Sequence, residues 1–146
     1  RELSKVIEWA LEPCIDLSKF PNSVVDVFIS IPQADAGTRV AGINAAAMAL
    51  AQAGIPMKQL ASAISVGKLD KTILVDLDKQ EEDYEEGEGP TDIAMCMLSR
   101  DKDITLLQLD GKISPQELKE AIEMGKKVCE KITEIQVNAL KEIKNE

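Results

Sequence analysis

Apolar residues recur at helical spacing near both ends of the chain and at strand spacing between them. Leu3, Val6, Ile7, Ala10 and Leu11 share one face of a first helix from about Leu3 to Leu11. Glu12-Pro13 ends or kinks it, because the residue before a proline disfavours the α conformation. After a turn at Pro21-Asn22, the β-branched and aromatic run Val24 to Ser30 (VVDVFIS) reads as a strand, with Pro32 at its end. Val40 to Ala53 (VAGINAAAMALAQA) consists largely of strong helix formers and stops at Gly54, with Pro56 beyond. Its small residues on nearly every face suit a helix buried between layers or one at a subunit contact, the former being the plainer reading. Leu60 to Val66 and Thr72 to Leu77 read as strands around a polar turn from Gly67 to Lys71. Asp92 to Leu98 and Ile104 to Leu109 form a second pair, joined by Ser99 to Asp103.

Ser114-Pro115-Gln116-Glu117 is a helix start, with a serine N-cap, proline at the first helical position and glutamate completing a capping box. The helix that follows carries a stripe of Leu118, Ile122, Val128, Ile132, Ile135, Ala139 and Ile143 and is roughly 40 Å long. The order α-β-α-β-β-β-β-α predicts an α+β layered fold, one sheet covered by helices, in a single domain over residues 1–146.

With 45% hydrophobic residues the chain is globular, and no apolar run reaches transmembrane length. It opens on Arg1 rather than Met and enters a helix almost at once, which reads as part of a longer protein. Cys14, Cys96 and Cys129 are odd in number and lack metal or redox spacing, so they read as buried, reduced thiols of a cytoplasmic protein. The absence of histidine removes Ser/His and Cys/His nucleophile systems and nearly all zinc sites. Chemistry is left to carboxylates, Lys, Arg, hydroxyls and backbone amides, and a metal would be a hard ion such as Mg²⁺. A net charge of −9 argues against a free-standing nucleic-acid binder. Much of that charge is local, in Glu81, Glu82, Asp83, Glu85, Glu86 and Glu88. Such a run is usually a solvated loop, and it can also repel RNA that strays from its path.

Two sets of residues carry candidate chemistry. Gln33 to Arg39 (QADAGTR) joins the VVDVFIS run to the alanine-rich helix. Gly37, Thr38 and Arg39 stand where a helix start offers unpaired N–H groups and a partial positive charge, a natural anion site. The plainer reading is a helix capped by Asp35 or Thr38 with Arg39 in solvent. Asp70 and Asp76 interrupt otherwise apolar strand sequence. In a straight strand they would lie roughly 20 Å apart, so they serve one site only if Asp70 folds back. Otherwise they are surface carboxylates.

QADAGTR, the small-residue helix, Ala53 to Met57 (AGIPM), Gly67-x-x-Asp70, Asp76-Leu77, Asp83, Ile104 to Gly111 (ITLLQLDG) and the long final helix together resemble the RNase PH family. The likeness is closest to catalytic RNase PH-type subunits of the archaeal exosome and covers the chain in order. The resemblance implies an RNase PH-type fold whose amino-terminal strands are missing here. It implies phosphorolytic 3′→5′ degradation of RNA, with inorganic phosphate as co-substrate and nucleoside diphosphates released. Gly37, Thr38 and Arg39 then fall on the phosphate site, and Asp70 and Asp76 on the acidic catalytic pair linked to Mg²⁺. Implied partners are single-stranded RNA, a related inactive subunit alternating in a hexameric ring, and RNA-binding cap subunits. Pro32 and Lys71 depart from the family's usual aliphatic residue and glycine. A non-catalytic structural ring subunit is the alternative; retention of Arg39, Asp70 and Asp76 together argues against it.

Overall fold

The computed structural model describes residues 2–144. Helix α1 (Glu2–Leu11) and helix α2 (Thr38–Gln52) lie on one face of a four-stranded sheet; α4 (Pro115–Ile143) lies on the other. The strands are β1 (Ala61–Leu69), β2 (Thr72–Val75), β3 (Pro90–Leu98) and β4 (Ile104–Asp110), in the order β2-β1-β3-β4 and all antiparallel. A one-turn helix, α3 (Lys79–Glu82), stands in the acidic stretch between β2 and β3. No described helix is long and apolar enough to cross a membrane.

Strand alternation divides the core in two. Ala61, Ala63, Ala94, Cys96 and Leu98 face α1 and α2, where they meet Ile43, Ala46, Ala47 and Leu50. Ile64, Val66, Ile93, Met95 and Met97 face α4. The three cysteines are buried and unpaired; burial pushes the Cys14 thiol up to about 12 and Cys129 to about 11, which keeps both protonated. Alanine against alanine lets α2 approach β1 closely, and Asn44 uses that approach. Its Nδ2 donates to the Ala63 carbonyl, and its Oδ1 accepts from the Ala63 N–H, both at 2.8 Å. Those two groups lie beyond the end of β2, which pairs with β1 only from Val66 to Leu69. A mid-helix asparagine, unfavourable by propensity, thus takes the place of a missing strand neighbour.

The VVDVFIS segment corrects the sequence reading. Residues 23–31 form no strand and pair with no sheet; Val24 is 83% and Phe28 92% exposed. Val25 packs against the core on the α1/α2 side, and Ile29 lies against Gly42 of α2. β-Branched composition suits a strand, but a strand forms only where a neighbour supplies hydrogen bonds. The Gly67-to-Lys71 turn also shortens: Gly67 to Leu69 continue β1, and Asp70-Lys71 alone make the turn.

On the α4 face, the buried Lys68 joins the acidic stretch to the helix start, its Nζ lying 2.9 Å from Glu88 and 3.2 Å from Glu117. Glu117 also accepts from the Ser114 N–H at 2.9 Å within the capping box. The Ser114 hydrogen bonds first, and Lys68 next, hold the Glu117 carboxyl down to about 2, from an ordinary 4.5. Stabilisation from this depressed carboxyl is complete above its ordinary value and is lost as pH falls toward 2. We therefore expect Glu117→Gln to lower the melting temperature at neutral pH and to flatten its decline below about pH 4.5. Parallel melting curves for the two proteins across that acid range would show that Glu117 does not hold the helix start in this way.

Candidate active site

The anion-binding expectation at residues 37–39 rests on backbone geometry. Gly37 is the N-cap of α2 at φ 63° and ψ 19°, a left-handed conformation that glycine adopts without cost. No side chain caps the helix. Its first closing backbone bond runs from the Ala41 N–H to the Gly37 carbonyl, 3.1 Å, so the amides of Thr38, Arg39 and Val40 precede the intrahelical ladder. The capping reading for Asp35 and Thr38 fails here. Asp35 instead accepts from the Lys79 N–H at 3.4 Å, tying the turn to α3.

These amides open on a cavity of about 340 Å³ whose wall includes Thr38, Arg39, Ser65, Lys79, Glu82 and Asp92. Arg39 is half-buried, and its Nε is buried without a hydrogen-bond partner among the described residues. An unsatisfied guanidinium nitrogen beside an uncapped helix start suits a doubly or triply charged oxyanion. The helix contributes its partial charge and Arg39 a full one.

Two carboxylates face this positive corner, and the sequence reading did not single out either. Glu82 is presented by α3, which is fixed by a second capping box. Asp78 accepts from the Glu81 N–H and Glu81 from the Asp78 N–H, both at 2.9 Å. Asp92 comes from inside β3, opposite Gly67 on one side and Asp110 on the other. The buried Ser65 hydroxyl donates to its Oδ1 at 2.5 Å. A neighbouring cavity of about 320 Å³ shares Lys79, Glu82 and Asp92 and adds Asp83 and Asp110. Burial first, and the nearby Asp92 charge second, push the Glu82 carboxyl above its ordinary value; Lys79, and Arg39 less, oppose this. A carboxyl whose hold on its proton is strengthened beside an anion cradle is placed to give that proton to a leaving oxygen.

Glu82 was hidden in the charge run, although Asp78-x-x-Glu81 is a readable helix-start signature. Asp92 was placed at the first position of its strand. The strand starts two residues earlier, at Pro90, and that makes Asp92 an interior polar residue of the kind that signals a task.

The aspartates expected to form the catalytic and metal-binding pair are not brought together. Asp70 sits at the tip of the β1–β2 turn with φ 50°, where its Oδ1 accepts from the Glu88 N–H at 3.2 Å against Gly87. The two-residue turn leaves it at the far end of the hairpin and outside the cavity wall. There it receives the backbone of the acidic stretch. Asp76 follows β2 at φ 62°, exposed, with its N–H donating to the Ser65 carbonyl at 2.8 Å. Its Oδ1 would lie 3.9 Å from a β-carbon at Gly37, so it borders the cradle. Among the described residues no group of three Asp, Glu or Cys side chains converges as a metal-binding set. The hairpin register leaves Asp70 and Asp76 at opposite ends of β2, so the two carboxylates do not close on a single ion.

Known proteins similar to this chain identify its family. Residues 1–56 match domain 1 of the 3′ exoribonuclease family and residues 59–128 match domain 2. The exosome complex component Rrp41 of Thermococcus gammatolerans is 48% identical over 141 residues, covering 97% of this chain and 55% of the relative. Rrp41 of Pyrococcus furiosus is likewise 48% identical over 97% of the chain, and that of Nitrosopumilus maritimus 45% over 95%, with 55% of each relative covered. The chain thus spans little more than half the length of these relatives. The crystal structure of rice (Oryza sativa) Rrp46 superposes with a TM-score of 0.79 at 26% identity, covering 96% of this chain and 65% of that one.

The contact between Glu82 and Asp92 gives a titration test. Replacing Asp92 with Asn removes the second cause of the raised Glu82 value and leaves burial, the first. In ¹³C-detected carboxyl titrations, Glu82 is expected to move part of the way back toward the ordinary glutamate range in Asp92→Asn. An unchanged Glu82 midpoint would mean that the two carboxylates do not sense each other.

Proposed function

This chain belongs to the 3′ exoribonuclease (RNase PH) family, and from that premise we propose that it carries the active site of a phosphorolytic 3′→5′ exoribonuclease. The observation that supports this most is the uncapped start of α2 with the unsatisfied Arg39 Nε, facing Glu82 and Asp92 across one cavity. In this reading Gly37, Thr38 and Arg39 bind inorganic phosphate, the amides and guanidinium donating to its oxygens. One phosphate oxygen attacks the phosphorus of the last RNA linkage, and the bond from that phosphorus to the 3′ oxygen of the preceding nucleotide breaks. Glu82 gives its proton to that leaving oxygen, and the terminal residue departs as a nucleoside diphosphate. Burial first, and the Asp92 charge second, strengthen Glu82's hold on that proton, and Asp92 keeps the carboxyl aligned. Phosphate is itself a nucleophile, so the protein's task is mostly positioning and charge stabilisation. No histidine is needed. Asp76 shapes the rim of the cradle, Asp70 holds the acidic stretch in place, and no step is assigned to Mg²⁺.

The relatives are described as exosome complex components, and we extend that setting to this chain. Its 146 residues form one RNase PH-type unit that works in a ring with related subunits. The ring admits single-stranded RNA delivered by cap subunits, in the reducing compartment that three free thiols suit. Partner surfaces then supply the positive charge that a chain of net −9 lacks for holding RNA.

The test compares variants of the full-length protein in its assembled ring, by single-turnover decay of a short RNA over a range of phosphate concentrations. Arg39→Ala should raise the phosphate concentration for half-maximal rate about tenfold or more while leaving RNA binding nearly unchanged. Glu82→Gln and Asp92→Asn should each slow the saturated rate by about 10²-fold. Asp70→Asn should remain within a few-fold of the parent. Loss of RNA affinity with an unaltered phosphate requirement in Arg39→Ala would make Arg39 an RNA contact and refute the cradle.

A further inference from the structure

We propose that Ser65 is a positioning residue of this site, a single strand residue that sets Asp92 and the Asp76 turn relative to the anion cradle. The proposal rests on the phosphorolytic reading above and concerns how Asp92 is held. Ser65 is 2% exposed, in β1 between β3, which carries Asp92, and β2, which Asp76 directly follows. Its hydroxyl donates to Asp92 Oδ1 at 2.5 Å, and its carbonyl accepts from the Asp76 N–H at 2.8 Å. One residue therefore ties both edges of the site through groups that point in different directions.

The strand register makes this possible. Ser65 is paired directly with Ala94, and Asp92 with Gly67. The diagonal between Ser65 and Asp92 crosses a small alanine and a missing side chain, so the hydroxyl meets the carboxylate unobstructed. With Oδ1 engaged by a buried donor, only Oδ2 remains to act on the cavity. Alanine at position 65 would leave the backbone bond to Asp76 intact and remove the one donor, among the described residues, that fixes the Asp92 side chain. Asp92 would then be free to turn away from Glu82. Ser62, also buried in β1, provides a control on the opposite face. Its hydroxyl donates to the Cys129 carbonyl at 2.9 Å and serves the packing of α4.

The experiment is a double-mutant cycle in the full-length, assembled protein, reading the single-turnover rate and the phosphate dependence. Ser65→Ala should slow the saturated rate about 10- to 10²-fold with the phosphate requirement within about twofold, because alignment is lost and phosphate binding is not. In an Asp92→Asn background the same change should have almost no further effect, since Ser65 acts through Asp92. Ser65→Cys, similar in volume with a weak donor, should fall between serine and alanine. Ser62→Ala should lower the melting temperature without altering the rate. A normal rate in Ser65→Ala, or an equal loss from it in both backgrounds, would overturn the positioning role while leaving Asp92 in place. A normal rate in Asp92→Asn alone would instead remove the reading on which the proposal stands, and Ser65's role with it.

Discussion

The placement of the candidate site depends on one amide side chain. Asn44 grips both backbone groups of Ala63 and so fixes where α2 lies along β1. That alignment puts the start of the helix, Gly37 to Arg39, against Ser65 and Asp92 instead of a turn away from them. A helix packed only through alanines would lack such a fixed register, because small side chains offer contact area but few interlocking shapes. The hydrogen bonds supply that register, and losing them would strand two backbone groups of the buried Ala63 at a cost of about 1–3 kcal/mol each.

A second constraint brings the carboxylates to the helix. At Gly67 a β-carbon would stand 2.6 Å from the Thr91 carbonyl oxygen and inside the volume taken by the buried Leu77 side chain. Leu77 occupies that space because Asp76 turns the chain at positive φ directly after β2. From there the chain crosses the sheet face, the capping box starts α3, and Glu82 arrives opposite Asp92. Strand β1 thus organises both layers: Ser65 and Gly67 serve the site on one face, and Ser62 and Lys68 anchor α4 on the other.

Most of the architecture was readable in the sequence, because its signals are local. The Leu3–Leu11 stripe, the alanine-rich helix and the Ser114 capping box are written in spacings of three and four residues, and those helices stand where expected. The Gly37-Thr38-Arg39 turn was legible for the same reason. VVDVFIS was not, since composition reports how well a residue suits a strand and says nothing of whether a partner lies beside it. The carboxylates were harder to read on similar grounds. Asp70 and Asp76 stood out by interrupting apolar runs, yet a two-residue turn commits Asp70 to the far end of the hairpin. Glu82 and Asp92 are distinguished only by the direction in which α3 and β3 present them, a property of the fold and not of charge density.

The central claim, that the open start of α2 is an oxyanion site, is tested most directly by titrating inorganic phosphate into ¹⁵N-labelled protein and following backbone amide resonances. The account predicts saturable shifts at Gly37, Thr38 and Arg39, with smaller changes at Ser65 and Asp92 and none at Glu88 or Glu117. Saturable shifts centred elsewhere, or none at Thr38 and Arg39 at phosphate concentrations that saturate the intact enzyme, would contradict it.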